Sequence, residues 1–192
     1  MKKTIKNLAI VALVAFTTLS FVALTAEKKP IKTDQSKLVW KGYKVTGSHD
    51  GTINIKSGSL TFEGDKLTGG EFVVDMPSLI SLDAQGGMKD RLEGHLKNDD
   101  FFGVDKYPTS TLVFKKVEAA GKNRYTVTGD LTIKGITKSN TFTISIYGNK
   151  ATANLKVDRT LYDIKFRSGS YFDNLQDNLI YDEFDLVADL QF

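Results

Sequence analysis

Apolar and polar side chains alternate along most of this chain with a period of two. Between 125 and 133, Tyr125, Val127, Leu131 and Ile133 are apolar while Thr126, Thr128, Asp130 and Thr132 are polar, the pattern of a strand with one dry face and one wet face. The same alternation runs through 141–147 on Phe142, Ile144 and Ile146, and through 184–192 on Phe184, Leu186, Ala188, Leu190 and Phe192. Shorter or weaker copies at 38–45, 52–55, 60–62, 72–76, 151–157 and 164–166 bring the expectation to eight or nine strands. Turn signals separate them at 47–51, 57–59, Gly64-Asp65, Gly69-Gly70, 121–123, Lys134-Gly135 and Gly148-Asn149.

One segment breaks the period. In 87–97, Met88, Leu92 and Leu96 recur every four residues and Lys89, Asp90, Arg91 and Glu93 fall on the other side, which predicts one short helix with an apolar face. Phe101 and Phe102 follow the helix end, where their rings must pack against a sheet edge or a barrel mouth. Pro108 then biases Tyr107 toward an extended backbone and leads rigidly into the strand at 109–114. Meandering antiparallel strands with a single dry face pack as a sandwich or close into a barrel, and closure, which removes exposed edges, is the favoured expectation. The fold class read here is all-β: an antiparallel barrel of about eight strands with one helix inserted near 87–97. Gly42, Gly129, Ala153 and Ala188 lie on or near the dry face. Such small side chains either leave a cavity or are filled over by larger neighbours, and alternation alone leaves both readings open.

The charge reading depends on the first residues. Lys2, Lys3 and Lys6 precede an apolar run from Leu8 to about Leu24 and small residues ending at Ala26, the layout of an export leader over 1–26. Export to the periplasm or out of the cell is the expected localisation, with one domain over 27–192. Without the leader lysines, 23 basic residues face 23 acidic ones. The net charge of +3 therefore belongs to the leader and gives no nucleic-acid footprint. No cysteine is present, which excludes disulfides and a lipidated cysteine.

Candidate chemistry is sparse. His49 sits in a turn-like GSHDG and His95 at the helix end, where a cationic side chain suits the helix dipole. The chain has no HExxH, GxSxG or Gly-rich phosphate loop, so an enzyme is not expected, and neither is a cofactor or a catalytic or metal site. Asp173, Asp177, Asp182, Glu183 and Asp185 form an acidic run without calcium-loop spacing, which reads as a solvated loop. Arg159 with Asp158 and Asp163 reads as a structural ion pair or, alternatively, a headgroup contact. Trp40 and Tyr43 could form a carbohydrate platform, but Trp40 shares its face with Gly42 and reads as core.

Three motifs carry a resemblance: FFGVDKYPTSTLVF at 101–114, VTGDLTIKGITKS at 127–139 and VDRTLYDIKF at 157–166. Together they make the chain resemble the YceI-like family of lipocalin-like, polyisoprenoid-associated periplasmic or secreted proteins, over 36–192. The resemblance implies an eight-stranded barrel with an elongated apolar tunnel for a long isoprenoid or other apolar lipid, held for sequestration or transport. The lining expected on that basis is Trp40, Phe72, Val74, Leu112, Phe114, Leu131, Ile133, Phe142 and Ile144, with Phe101, Phe102 and the Met88, Leu92, Leu96 face closing one end and Arg159 near the headgroup. The bound lipid takes the place of a cofactor, no nucleic acid is expected, and transient membrane contact and a homodimer are both compatible with this reading. The chain departs from the family where Arg159 is followed by Tyr162-Asp163 in place of Phe-Gly, which sets an acidic side chain where the family often has glycine. The competing reading is a non-enzymatic stress or interaction protein with a fully packed barrel and partners bound by its loops.

Overall fold

The computed structural model describes residues 25–192. The leader expected over 1–26 lies outside the described residues except for Thr25 and Ala26. The described strands are β1 (Ala26–Pro30), β2 (Lys37–Lys44), β3 (Gly47–Glu63), β4 (Lys66–Ser81), β5 (Thr109–Gly121), β6 (Arg124–Ile133), β7 (Ile136–Tyr147), β8 (Lys150–Asp158) and β9 (Ile180–Gln191), and the helix α1 is Gly86–Lys97.

All neighbours in the order β3-β2-β9-β8-β7-β6-β5-β4 are antiparallel, and β4 pairs back onto β3, so eight strands close into a barrel. The ninth strand, β1, was not visible in the sequence pattern. It lies beside the far half of β3, from Ala26↔Glu63 to Pro30↔Ser59, while β2 pairs with the near half. Period-two alternation becomes inside and outside of one closed sheet, which β8 shows residue by residue: Ala151, Ala153, Leu155 and Val157 are buried and their neighbours are not.

The turns expected at 64–65, 121–123, 134–135 and 148–149 all connect hairpins. Lys134 and Gly135 both have positive φ (51° and 73°), as a two-residue hairpin turn requires. The turns expected at 47–51, 57–59 and 69–70 are instead strand interior, and the glycines serve another purpose there. A Cβ on Gly51 would sit 2.6 Å from the Trp40 ring and 1.9 Å from the Ile80 carbonyl; one on Gly58 would sit 2.7 Å from Phe72, and one on Gly70 2.7 Å from Phe114. Trp40↔Gly51 and Phe72↔Gly58 are direct cross-strand pairs, so each ring lies over a bare backbone. Bulges in the β3–β4 ladder near 52–57 and 61–62 bend these long strands around the barrel.

The strand expected at 164–166 is absent. Arg159–Tyr162 forms a 3-10 turn and Asp163 adopts a left-handed conformation (φ 59°) that reverses the chain before Ile164. The helix forms almost as expected, but its face is rotated: Met88 is 65% exposed, whereas Leu92, His95 and Leu96 point to the barrel. Met88 therefore does not help close the barrel end.

Candidate functional site

The barrel is not filled. An apolar cavity of about 230 Å³ runs between the inward faces of β2 through β9, with Leu92, His95 and Leu96 of α1 at one end. The nine side chains expected as lining border it, Trp40 from β2, Phe72 and Val74 from β4, Leu112 and Phe114 from β5, Leu131 and Ile133 from β6, and Phe142 and Ile144 from β7, and so do Phe101 and Phe102 after the helix and Arg159. The expected lining left out Leu38, Ile53, Ile55 and Met76, although each lies in an alternating stretch, and His95, which was read through the helix dipole alone. Of the small residues, Gly42, Ala153 and Ala188 line the cavity, while Gly129 is buried with its backbone against Leu112 and Val113.

Phe101 and Phe102 reach the cavity because the chain folds back under α1. The Phe101 and Phe102 amides donate to the Asn98 and Leu96 carbonyls at 3.0 and 3.1 Å, and Gly103 turns with φ 54°. Phe101, Phe166 and His95 then form an edge-to-face cluster with ring centres 4.5–5.9 Å apart, and Phe102 meets Phe184 at 6.3 Å. These rings form an aromatic collar around the helix end of the cavity.

Arg159 sits at that collar in a structural role. It is 3% exposed; Nε donates to the Tyr181 carbonyl (3.1 Å), Nη1 to Ile164 (2.7 Å) and Nη2 to Ile180 (2.9 Å). Its acidic partner is Asp182, with Oδ1 3.6 Å from Nη2, and not Asp158 or Asp163. Asp158 caps the 3-10 turn by accepting from the Thr160 amide and hydroxyl, and Asp163 turns outward to Lys165 at 2.8 Å. Burial lowers the guanidinium's proton affinity, while Asp182 and then Asp158 favour the charge. With three of its five N–H donors on carbonyls, Arg159 ties the segment after β8 to the start of β9. Burial, with a smaller effect of Asp158, pushes the neighbouring Tyr162 phenol up to about 12.

Other polar groups at this end are paired in the same way. His49 Nδ1 lies 2.8 Å from Asp83 Oδ2, His95 Nε2 lies 2.8 Å from Asp100 Oδ2, and Tyr43 donates to Asp185 Oδ2 at 2.6 Å. Burial favours protonation of Asp83, but hydrogen bonds from Ser81, His49 and the Asp50 amide outweigh it and hold the carboxyl below its usual range. The Tyr43 hydrogen bond likewise lowers Asp185 against desolvation, with help from Lys156, and raises the Tyr43 phenol. Lys156 also reaches Glu183 at 3.4 Å. Of the cationic side chains that line the cavity, Arg159, His49 and His95 each have a carboxylate beside them. Trp40 is core, its indole N–H donating to the Ile80 carbonyl at 3.2 Å. Among the described residues no group of three or more His, Asp or Glu side chains could hold a metal ion.

The model of the YceI-like domain matches residues 30–192. A UPF0312 protein of Pseudomonas putida (strain W619) is 33% identical over 131 residues, which cover 66% of this chain and 65% of that one. The chain thus spans just under two thirds of the length of that relative. A UPF0312 protein of Photorhabdus laumondii is 34% identical over 88 residues, 46% of this chain and 43% of its own. The crystal structure of Burkholderia cenocepacia BcnA has the same fold, with a TM-score of 0.66 and 22% identity over 83% of this chain and 98% of that one. A polyisoprenoid binding domain from Saccharophagus degradans, implicated in plant cell wall breakdown, superimposes with a TM-score of 0.55 and 14% identity over 88% of this chain and 97% of that one.

Proposed function

The chain belongs to the YceI-like domain family, and on that premise we propose that it is an exported binding protein that holds one long apolar chain, a polyisoprenoid or a lipid like it, inside the barrel. The observation that carries this is the cavity itself. At roughly 24 cal/mol per Å³, an empty apolar space of 230 Å³ would cost about 5 kcal/mol, a large share of the 5–15 kcal/mol that typically holds a domain folded. Water gains little in a site whose walls offer it few hydrogen bonds. An apolar chain restores the lost contacts, at about 25 cal/mol for each Å² it buries.

The charge balance at the mouth supports recognition by the apolar tail. Arg159, His49 and His95 each face a carboxylate, and Lys44, which also lines the cavity, is a single lysine, so a phosphate would find no unpaired cationic cluster. The polyisoprenoid binding named for the Saccharophagus degradans domain fits the same reading. Export belongs to the proposal through the basic, apolar and small-residue layout of 1–26. The role is sequestration or transport without catalysis. A cavity of this size counts against the fully packed barrel of the competing reading.

Trp40 is the chain's single tryptophan and lines the cavity, which provides a built-in reporter. Titration with farnesol should change Trp40 emission saturably. At 100 times its dissociation constant the ligand should add about 2.7 kcal/mol to unfolding stability. Unchanged emission together with an unchanged melting temperature would refute the reading.

A further inference from the structure

The cavity has a mouth at one end and a solid floor at the other. The polar lining side chains gather at the α1 end of the barrel, where Tyr43 and Lys44 end β2, His49 lies at the start of β3, Ser110 and Thr111 open β5 and Tyr181 opens β9. Along β9 the lining runs from Ile180 to Leu190. That is about 34 Å of strand, or about 25 Å along the axis of a barrel whose strands tilt by about 40°. Beyond that level Leu60, Leu67 and Val127 are fully buried and Phe62 is 3% exposed, yet none of them borders the cavity.

The floor lies directly under the last lining ring. A Cβ placed on Gly70 would meet the Phe114 ring at 2.7 Å and Leu60 Cδ2 at 3.1 Å, so Phe114, which borders the cavity, and Leu60, which does not, are neighbours over the same backbone. Behind Leu60, Phe62 stacks on Phe192 with ring centres 5.4 Å apart, and the Lys29 ammonium lies 5.0 Å above Phe62. Just above the floor the cavity gains width from Ala153 and Ala188, which pair across β8 and β9 and both line it.

We propose that this floor measures the ligand: the tail enters first, passes between Ala153 and the opposite wall, and is stopped at Leu60, so the barrel selects apolar chains by length. The proposal rests on the binding function proposed above. Affinity should rise by about fourfold for each methylene that is newly buried, and cease to rise once the tail touches the floor.

The test uses straight-chain primary alcohols of increasing length, with Trp40 emission as the readout and native mass spectrometry as a check on one-to-one binding. The wild-type protein should show a break, affinity climbing with each methylene and then levelling. Ala153→Leu, which adds volume just above the floor, should move the break to shorter alcohols, and Leu60→Ala should move it to longer ones. If Leu60→Ala does not fold, the wild-type profile and Ala153→Leu, or its milder form Ala153→Val, decide the matter. Affinity that climbs through the longest alcohols without a break, or a break that neither variant moves, overturns the length selection and leaves the binding function standing. Absence of saturable binding at every length in the wild-type protein overturns the binding function itself.

Discussion

Arg159 is a buried charge at the end of β8, held by backbone carbonyls more than by the carboxylates nearest it in sequence. Its guanidinium is committed to the carbonyls of Ile164, Ile180 and Tyr181, with Asp182 beside it. Lysine carries the charge but has no planar fork to serve three carbonyls. Arg159→Lys should therefore lose about 3 kcal/mol in urea unfolding; a loss below about 1 kcal/mol would show that the carbonyl contacts matter little. Asp158 and Asp163 were nearer in sequence, and the segment between Asp163 and β9 hid the approach of Asp182. The cavity-lining residues were legible because parity along a strand fixes the face of each side chain. Gly51, Gly58 and Gly70 were not, because a glycine that seats an aromatic ring has the same local signature as one that makes a turn. The carboxylates also set a pH dependence. Asp83 and Asp185 titrate below the unfolded carboxylate value in the folded state, so their stabilisation is complete above about pH 4 and is lost as pH falls through their folded values. Asp83→Asn and Asp185→Asn should each lower the melting temperature at pH 7 and lose less than the wild type does between pH 5 and pH 3. A variant curve that stays parallel to the wild type over that range would contradict the assignment.

At the scale of elements, β6 and β8 were visible nearly to their ends, whereas alternation picked up β7 only from 141 and β9 only from 184. The long strands β3 and β4 were visible only in fragments, since bulges shift the parity midway and in-strand glycines interrupt it. β1 is too short and too charged to carry a pattern. The helix was found from its four-residue repeat, but the repeat could not fix its rotation. Two hydrogen-bonded anchors do so: the Ser81 amide donates to Glu93 at 2.8 Å, docking α1 on the end of β4, and the Phe102 amide donates to the Leu96 carbonyl. That docking turns Leu92 and His95 toward the cavity and Met88 to solvent. Leu92→Arg should therefore weaken farnesol binding at least tenfold while shifting unfolding stability by less than about 1 kcal/mol, because Leu92 is only half-buried. Met88→Arg should change neither. Equal effects from the two substitutions would mean that α1 does not border the ligand.

For the whole molecule, closure and an unfilled interior are properties of the assembled barrel. Alternation predicted a closed sheet with one dry face, but the sum of facing side-chain volumes decides whether the inside is hollow, and that sum depends on register. Ala153 and Ala188 are direct partners across β8 and β9, flanked by Ile144 and Leu38; two small residues side by side leave space that a larger side chain at either position would have filled. The central claim is that this space is occupied by an apolar chain. Native mass spectrometry of protein purified without detergent, with organic extraction of the same sample, tests it most directly. The account predicts a one-to-one adduct that is removed by extraction and whose mass, for an isoprenoid, varies in isoprene steps. A bare protein mass that persists after incubation with polyprenyl lipids would contradict it.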